Sequence, residues 1–426
     1  MKKLLLFFVL SLFTRHAFAA PGDLLWQMNT AEAGTTAPRS VSLGRDNFLI
    51  GLGGLFAGGV EQVSLPSFQQ TTLSPPDLEL GGWMAHVASA KRRDVTALVY
   101  TKYPPNSSIA AYYMRIFHEN VLTYEAPLSE LGSSIAPYCS GVYVSNAGDK
   151  VVAVCQSSGY QAKLIAWTLS FNASQPPLIQ KQPPVDITTL CSNCFLSDMS
   201  GDGRFVAVST QRDVMRFTQD SSGAYSLSQQ SSYFFGGNGL STSISDNGAI
   251  LVTRPTQGFQ GHQLHFFPPD SASSTVIAVG LPHISHATIS DDGTTVGIAT
   301  NTENTGFLAA AFRIDQQGTP LQRAMYHEWF GSPVNIGQST LQTYVHSIHL
   351  SKTGERLIVG TSGNNTDEIP HVVALEEGQP NPALELQLPG SVVDLAIHRN
   401  MLGIVYKATH LSVAGGVGGV ELRSLK

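Results

Sequence analysis

The chain has 426 residues, of which 42% are hydrophobic and only 13% are charged. This length and apolar content allow a sizeable core. A charged fraction of about half the usual share argues against a long helical bundle and suits an all-β protein outside the cytoplasm. The formal charge is −6, and residues 1–19 contain three basic and no acidic residues, so the remainder has a charge of −9. We therefore expect no nucleic-acid partner.

Residues 1–19 have the order of parts found in a secretory signal peptide. A basic start precedes the apolar run Leu4–Phe13, and Ala17–Ala19 provides the A-x-A cleavage pattern before Ala20. The apolar run of about ten residues is too short to span a bilayer as a helix, although an uncleaved anchor is the alternative. We expect a cleaved signal peptide, a mature domain over residues 20–426 with no transmembrane anchor, and a periplasmic or secreted location.

A motif of Ser-x-x-Gly followed by an apolar strand occurs five times. The copies begin at Ser145, Ser200, Ser245, Ser290 and Ser351. Small polar residues favour a turn and Gly supplies positive φ at its end, so each copy predicts a β-hairpin. Further strands follow the hairpin, and after Ser245 these are Gln263–Phe267 and Thr275–Val279. The repeat therefore predicts units of four strands.

Three weaker copies of the motif lie near Ser42, Ser89 and Ile397. Successive copies are 45 to 61 residues apart, a spacing typical of β-propeller blades. We predict an all-β protein with a single propeller of seven four-stranded blades, one terminal copy being spurious. Eight blades are the alternative if every weak copy is real. The last unit has room for only three strands, and Leu24–Trp26 is predicted to supply the fourth and close the ring.

The Ser-Asp-Asn/Asp-Gly turn before an apolar strand resembles the WD40-like and TolB-type propeller repeats of bacterial exported proteins. The similarity covers most of residues 40–405 and depends on the five good copies. The Pro common in that family's turn is missing, no unit ends in Trp-Asp, and no room remains for the separate N-terminal domain of TolB-type proteins. The resemblance implies the propeller fold, and no site residue is transferred from it.

The early blades contain a basic cluster and several aromatic residues. Lys91–Arg93 is followed at once by Asp94, which predicts a solvated turn in place of a phosphate site. Trp83, Tyr112 and Tyr113 are candidates for an interaction surface. The alternative for these aromatic residues is packing on a blade edge.

The mature chain has four cysteines, which in an oxidising compartment suggest two disulfides. The midpoint between Cys139 and Cys155 falls in the turn that begins at Ser145, so the two would face each other across a hairpin. Cys191 and Cys194 form a C-x-x-C motif that leads into a strand, which favours a locally closed disulfide over a thioredoxin-like redox pair. A zinc site formed by all four thiols is a further alternative.

Histidines are the candidate ligands for a transition metal. His283, His286, His346 and His349 fall on predicted innermost strands, which surround the central channel, so several imidazoles could converge there. Their offsets from the turn serines differ, and the alternation of a strand then places them on different faces. The alternative is that they pack between blades and bond to neighbouring backbone or hydroxyl groups.

Asp198–Gly203 is similar to the start of a calcium-binding loop, with oxygen-bearing side chains at its first, third and fifth positions. Its twelfth position is Ser209, where an EF-hand needs a bidentate Glu. The same Gly is explained by the repeat turn. The sequence therefore requires no cofactor, with a transition metal or calcium as the alternatives.

His327, Glu328 and Trp329 lie in the longest interval between motif copies and are a further candidate interaction surface. The chain contains no nucleophile elbow, Walker loop, dinucleotide fingerprint or H-E-x-x-H motif. The leading hypothesis is a non-catalytic scaffold of the cell envelope that binds an envelope or extracellular protein. The alternatives are an enzyme at the channel mouth (a hydrolase, lactonase or metal-dependent oxidoreductase) and a periplasmic sensor of a small ligand.

Overall fold

The structure, a computed structural model, is a ring of antiparallel sheets around a central channel. It describes residues 19–426 except 31–36, 54–58, 66, 75–85, 103–110, 132–137, 157–161, 173–174, 189–195, 211–212, 233–240, 256–261, 278–283, 303–305, 333, 337–338, 342, 364–367 and 408–417. Within these residues, no helix is long and apolar enough to cross a membrane.

The first strand, β1 (Leu24–Thr30), belongs to the last blade. The next four blades in the chain form the first half of the ring. Blade 1 contains β2 (Ala37–Leu43), β3 (Asn47–Gly53), β4 (Gly59–Ser64) and β5 (Gln69–Ser74). Blade 2 contains β6 (His86–Ser89), β7 (Val95–Lys102), β8 (Ala111–His118) and β9 (Val121–Pro127), followed by a 3-10 turn (Ser129–Leu131). Blade 3 contains β10 (Tyr138–Val144), β11 (Lys150–Gln156), β12 (Ala162–Asn172), β13 (Gln175–Lys181) and the short β14 (Val185–Asp186). Blade 4 contains β15 (Leu196–Met199), β16 (Phe205–Ser209), β17 (Asp213–Gln219) and β18 (Tyr225–Ser232).

The second half of the ring has the same design. Blade 5 contains β19 (Ser241–Ile244), β20 (Ile250–Pro255), β21 (His262–Phe267) and β22 (Thr275–Ile277). Blade 6 contains β23 (His286–Ile289), β24 (Thr295–Asn301), β25 (Phe307–Ile314) and β26 (Pro320–Trp329), and a separate hairpin of β27 (Val334–Ile336) and β28 (Ser339–Leu341) follows. Blade 7 contains β29 (Val345–Leu350), β30 (Arg356–Thr361), β31 (Val372–Glu376) and β32 (Leu384–Leu386). Blade 8 contains β33 (Ser391–His398), β34 (Met401–Lys407), β35 (Gly418–Ser424) and β1.

The propeller therefore has eight blades, and the prediction of seven is wrong. The error has a clear cause, because all three weak motif copies form antiparallel hairpins (β2–β3, β6–β7 and β33–β34) although their turns lack the Ser-x-x-Gly pattern. The innermost strands contact one another in a closed circle, with β33 of blade 8 beside β2 of blade 1.

The last blade is completed by β1, the first strand in the chain. β1 pairs antiparallel with β35, and Trp26 lies opposite Leu422. Backbone hydrogen bonds extend this pairing, from Gly22 to Ser424 (2.9 Å) and from Ser424 to Asp23 (3.0 Å). β1 of blade 8 and β2 of blade 1 are consecutive strands in the chain, and hydrogen bonds between β1 and β35 close the ring.

Among the residues that the structure describes, the hydrophobic core is divided into eight clusters, and each cluster is shared by two neighbouring blades. In the cluster between blades 8 and 1, for example, Phe48 packs with Val405 and Leu422, all fully buried. Burying one such side chain stabilises a fold by about 1.5–3 kcal/mol. Each blade therefore depends on both neighbours for its core.

Candidate functional site

The turns that join the innermost strand of each blade to its second strand form one face of the ring. These inner turns are residues 44–46, 90–94, 145–149, 200–204, 245–249, 290–294, 351–355 and 399–400. In the five good motif copies the Gly has positive φ, as in Gly203 at 71°. The preceding Ser closes the turn, because Ser200 Oγ accepts a hydrogen bond from the backbone N–H of Phe205 (3.0 Å). We call the surface formed by the inner turns the turn face.

Neighbouring inner turns are joined by hydrogen bonds around the ring. The backbone N–H of Arg92 donates to the carbonyl of Asn146 (2.8 Å), and the N–H of Asn146 donates to the carbonyl of Gly201 (2.7 Å). The N–H of Asp246 donates to the carbonyl of Asp291 (2.7 Å) in the same way. These bonds set the position of each turn relative to the next.

Polar side chains also cross from one innermost strand to the next. Ser42 Oγ accepts from the N–H of Ser89 (2.9 Å), and Asp198 Oδ2 accepts from the N–H of Ile244 (2.9 Å). The two acceptors occupy the same place in their blades, two residues before the inner turn. An innermost strand has no backbone partner on its channel side, so these side chains satisfy N–H groups that the sheet leaves free.

Asp394 bonds blade 8 to blade 1 in the same manner. Its Oδ2 accepts from the N–H of Val41 (3.0 Å), and its Oδ1 accepts from Leu395 (2.9 Å). Burial raises the pKa of Asp394 to about 7, against the opposing effect of these backbone hydrogen bonds. Burial likewise raises the pKa of Asp198 to about 7. Sequence reasoning missed this role. The polar residue two positions before the turn is a signal for Ser42 and Asp198, but Asp394 lies five positions before its turn.

The three described candidate histidines, His286, His346 and His349, are divided between the two ends of the channel. His286, at the start of β23, hydrogen-bonds to the backbone of Val345 in the next blade, and burial with the nearby His346 lowers its pKa to about 4. His346 is exposed. His349 lies at the turn end, hydrogen-bonds to the backbone of Leu395, and has its pKa lowered to about 4 by burial and Lys91. His283 lies outside the described residues.

These placements bring only His286 and His346 near each other. Within the part of the chain that the structure describes, no group of three His, Cys, Asp or Glu side chains is arranged to hold a metal ion. Asp198 and Asp202, the candidate calcium ligands, both have local partners. Asp198 accepts from two backbone N–H groups, and Asp202 Oδ1 accepts from Ser200 Oγ (2.7 Å) and the N–H of Arg204 (2.9 Å). The loop thus functions as an inner turn.

A cavity of about 1210 Å³ opens at the turn end of the channel. Lys91 lines it, and its Nζ donates to the carbonyls of Leu43 (2.8 Å) and Ile397 (3.0 Å), which belong to blades 1 and 8. Burial lowers the pKa of Lys91 to about 8, although the nearby Asp291 favours the charged form. The sequence predicted a solvated turn here, and Arg92 is indeed exposed, but Lys91 points into the mouth of the channel.

The candidate interaction residues on blade 6 are largely committed to the fold. Trp329 is 6% exposed, stacks on Phe307 with ring centroids 4.4 Å apart, and donates from Nε1 to Glu385 (2.6 Å). His327 packs against the Trp329 ring at 4.5 Å, and Glu328 accepts from the Tyr326 hydroxyl (3.2 Å). Trp329 therefore stabilises the boundary between blades 6 and 7.

The described aromatic candidates in blade 2 also pack within the fold. Tyr112 is 4% exposed and belongs to the core between blades 2 and 3. Tyr113 is partly buried and stacks on Tyr100 with ring centroids 5.7 Å apart. Trp83 lies outside the described residues. Packing on the blade therefore accounts for both described tyrosines.

Cys139 and Cys155 form a disulfide with an S–S distance of 2.02 Å. They lie directly opposite each other on β10 and β11, as the hairpin centred on the turn requires, and both are buried. Cys191 and Cys194 lie outside the described residues, so their pairing stays a prediction.

Comparisons with known proteins support the fold. No protein-family model matches the chain, and no curated protein matches it. Among solved structures, the Dos1 propeller is 13% identical with a TM-score of 0.55, and the match covers 95% of each chain. The C-terminal WD40 domain of Sif2 is 10% identical with a TM-score of 0.53, over 96% of this chain and 99% of that one. Sqt1 of Saccharomyces cerevisiae is 9% identical with a TM-score of 0.50, over 93% and 88%. At these identities the likeness concerns the fold alone, and at that level the predicted resemblance to WD40-like and TolB-type propellers is confirmed.

Proposed function

We propose that this chain is an exported, non-catalytic protein of the cell envelope, periplasmic or secreted, that binds a protein partner through its turn face. The observation in favour of binding is that titratable side chains at the channel mouth hydrogen-bond to the backbone of neighbouring blades. Asp198 and His349 bond one blade to the next, and Lys91 bonds two backbone carbonyls. A general acid or base must instead be able to reach the proton that it transfers.

The design of the turn face also favours partner binding. Its short turns are held to one another by hydrogen bonds, while residues at their tips such as Arg92, Asp202 and Lys352 are exposed. Binding residues often lie on loops positioned by a rigid scaffold. The tips can therefore vary without loss of the ring, which suits a recognition surface.

Export is supported by the signal-like residues 1–19 and by the disulfide between Cys139 and Cys155. Disulfides persist in oxidising compartments and are rare in the cytosol. Fractionation of native cells with detection of the mature N-terminus tests this part. We expect a chain that begins near Ala20 outside the cytoplasm, and a full-length cytoplasmic chain would contradict export.

Affinity capture from the native envelope tests the binding function. We expect residues 20–426, immobilised, to retain one partner in stoichiometric amount, and Arg92→Glu on the turn face to release it. Arg323→Glu is the matched control, because Arg323 is exposed on the outer strand β26. Capture that is indifferent to Arg92→Glu would contradict this role of the turn face. A stoichiometric transition metal lost on replacing His286 and His346 would favour the enzyme alternative.

A small-ligand sensor is the second candidate function, and the cavity of about 1210 Å³ favours it. Ligand pockets commonly measure about 300–1,000 Å³, so this cavity is large enough for a small molecule. Thermal melting with candidate envelope metabolites tests the idea. A ligand that raises the melting temperature of the wild type but not of a variant altered in the cavity would support it.

A further inference from the structure

The tips of the inner turns divide the turn face into a basic and an acidic half. We consider the two central residues of each inner turn: 45–46, 91–92, 146–147, 201–202, 246–247, 291–292, 352–353 and 399–400. In blades 7, 8, 1 and 2 the charged ones are Lys352, Arg399, Arg45, Asp46, Lys91 and Arg92. In blades 3 to 6 they are Asp202, Asp246, Asp291 and Asp292, with no basic residue. Successive blades are neighbours in the ring, so the two sets occupy opposite halves.

The acidic half has a focal point above Gly201. Asn146 Nδ2, Asp246 Oδ1 and Asp291 Oδ2 all lie within 3.3 Å of the position that a Cβ on Gly201 would take. Burial raises the pKa of Asp291 to about 6, and the nearby Asp246 acts in the same direction. The absence of a side chain on Gly201 thus allows these polar groups to converge beside the channel mouth.

The basic half lines the cavity directly. Lys91, Arg92, Lys352 and Arg399 are all part of the wall, and the acidic residues of the wall in this half are Glu355, Glu376 and Glu377. Glu376 is paired with Arg356, and Glu377 is paired with Arg313. Arg399 has a φ of 55°, a left-handed conformation that is uncommon for Arg and favours Gly or Asn. A positively charged residue is therefore present at a turn position where the backbone would favour a neutral one.

Apolar side chains form a collar below the charged rim. They share one place in the repeat, the last residue or the last but one of the innermost strand. The members that line the cavity are Met199, Ile244, Ile289, Leu350 and Ile397. The wall of the cavity thus has apolar side chains directly next to the inner turns, among polar ones such as Asp198, Ser243 and Thr288.

We propose that the channel mouth binds a short peptide segment of the partner, in which a cationic and an anionic group flank an apolar side chain. This inference rests on the proposed binding function. The anionic group would lie against Lys91 and Arg399, the cationic group against Asp246 and Asp291, and the apolar side chain within the collar. The cavity of about 1210 Å³ has room for several residues.

The division of charge also gives the site a means of selection. A segment with only positive groups would meet Lys91, Arg92, Lys352 and Arg399, and a segment with only negative groups would meet the acidic half. Repulsion of like charges suppresses wrong partners, and this is a recognised source of specificity. We therefore expect preference for a bipolar peptide over either singly charged peptide.

Titration calorimetry with the purified mature chain tests the preference. The probe is acetyl-Lys-Leu-Gly-Glu-amide, in which the terminal blocks leave charge only on the side chains. The comparison peptides are acetyl-Lys-Leu-Gly-Lys-amide, acetyl-Glu-Leu-Gly-Glu-amide and acetyl-Lys-Ser-Gly-Glu-amide. We expect the bipolar peptide with leucine to bind about tenfold more tightly than each of the others, a factor that corresponds to about 1.4 kcal/mol.

Two variants test the poles separately. Arg399→Asn removes a charge from the basic half and also suits the left-handed backbone, so we expect it to fold at least as well as the wild type. Asp291→Asn removes a charge from the acidic half. Each is expected to weaken binding of the bipolar peptide about threefold to fivefold, as for one exposed charge pair. Arg323→Gln, on the outer strand of blade 6, is the matched control and should leave the affinity unchanged.

The possible outcomes separate this inference from the proposed function. Equal affinity for all four peptides, no measurable binding of any, or indifference to both variants would overturn the peptide site. A captured partner whose binding survives Arg399→Asn and Asp291→Asn would preserve the proposed function and refute this site alone. Tight binding of the bipolar peptide without capture of any partner would support the peptide site and count against the proposed function.

Discussion

Two blade boundaries show how the ring is held together. Between blades 4 and 5, Asp198 accepts from the N–H of Ile244 (2.9 Å), and between blades 8 and 1, Asp394 accepts from the N–H of Val41 (3.0 Å). The carboxylate contact is the same, but the boundary between blades 8 and 1 lies where the two ends of the chain meet. There the structure adds the pairing of β1 with β35 and the two hydrogen bonds of Lys91. Closure therefore depends on added hydrogen bonds and not on a different kind of interface.

Removal of β1 is expected to have the largest effect on stability, and it acts at the boundary between blades 8 and 1 alone. Deletion of residues 20–30 leaves β35 as an open edge and ends the chain connection between blades 8 and 1. We expect a loss of several kcal/mol in the free energy of unfolding, since a whole strand and its share of the core are lost. Thermal and urea denaturation measure it. An unchanged melting temperature would mean that β1 does not close the ring.

Loss of the disulfide in blade 3 is the next largest effect and leaves both boundaries intact. Replacing Cys139 and Cys155 together with Ser should lower the free energy of unfolding by about 3 kcal/mol, because a loop of this size is constrained in the unfolded chain. Urea denaturation with and without reductant provides the measurement. The reduced wild type should resemble the double variant, and equal stability of the oxidised wild type and the variant would contradict the prediction.

The two carboxylates should then respond alike to pH. The folded pKa of Asp198 and of Asp394 is raised to about 7, above the ordinary value near 4. The folded state therefore binds the proton more tightly than the unfolded state does. Each carboxyl's contribution to the free energy of unfolding is complete below the unfolded pKa and is lost as the pH rises through about 7. For one carboxyl this amounts to about 3 kcal/mol between pH 5 and pH 8.

Urea denaturation of Asp198→Asn and Asp394→Asn checks this response. The histidines with lowered pKa, such as His349, oppose the trend in the whole protein, so each variant is compared with the wild type at each pH. We expect the stability advantage of the wild type to be larger at pH 5 than at pH 8, and to a similar extent for both variants. A gap that does not change with pH would contradict the raised pKa values. A response from Asp394→Asn alone would show that the boundaries differ in chemistry.

The smallest expected effect concerns the turn beside the closing boundary. Arg399→Asn should raise the free energy of unfolding by about 0.5–1 kcal/mol, because Asn tolerates a φ of 55° better than Arg does. Lys352→Asn, in a neighbouring turn where no positive φ occurs at that position, is the control for the loss of charge. A similar gain from both variants would assign the effect to charge and not to the backbone.

The repeat was readable from the sequence because its turns have a strict chemistry. Ser200 and Gly203 illustrate this, since the serine hydroxyl closes the turn and the glycine takes the positive φ. The hairpins of blades 1, 2 and 8 form without this pair, and their weaker signal led to the wrong count. Their strands are held by cores shared with neighbouring blades, and such packing has no local signature in the sequence.

The candidate site was harder to predict because its contacts connect distant parts of the chain. Lys91 bonds the carbonyl of Ile397 across 306 positions, and Asp394 bonds Val41 across 353. The local sequence does not distinguish such an Asp from a solvated Asp or from a calcium ligand. Asp198 is an example, because its sequence suggested a calcium loop and the structure shows a bond to the next blade. The disulfide of Cys139 and Cys155 was predictable for the opposite reason, because both residues belong to one hairpin.

The sharing of every hydrophobic cluster by two blades has a consequence for how the molecule comes apart. A blade removed from the circle would expose apolar side chains on both of its sides, so no single blade and no short run of blades should survive as an independent fragment. Loss of one boundary should instead destabilise its neighbours in turn. Proteases that cut a strand should therefore degrade the whole domain and leave no stable intermediate.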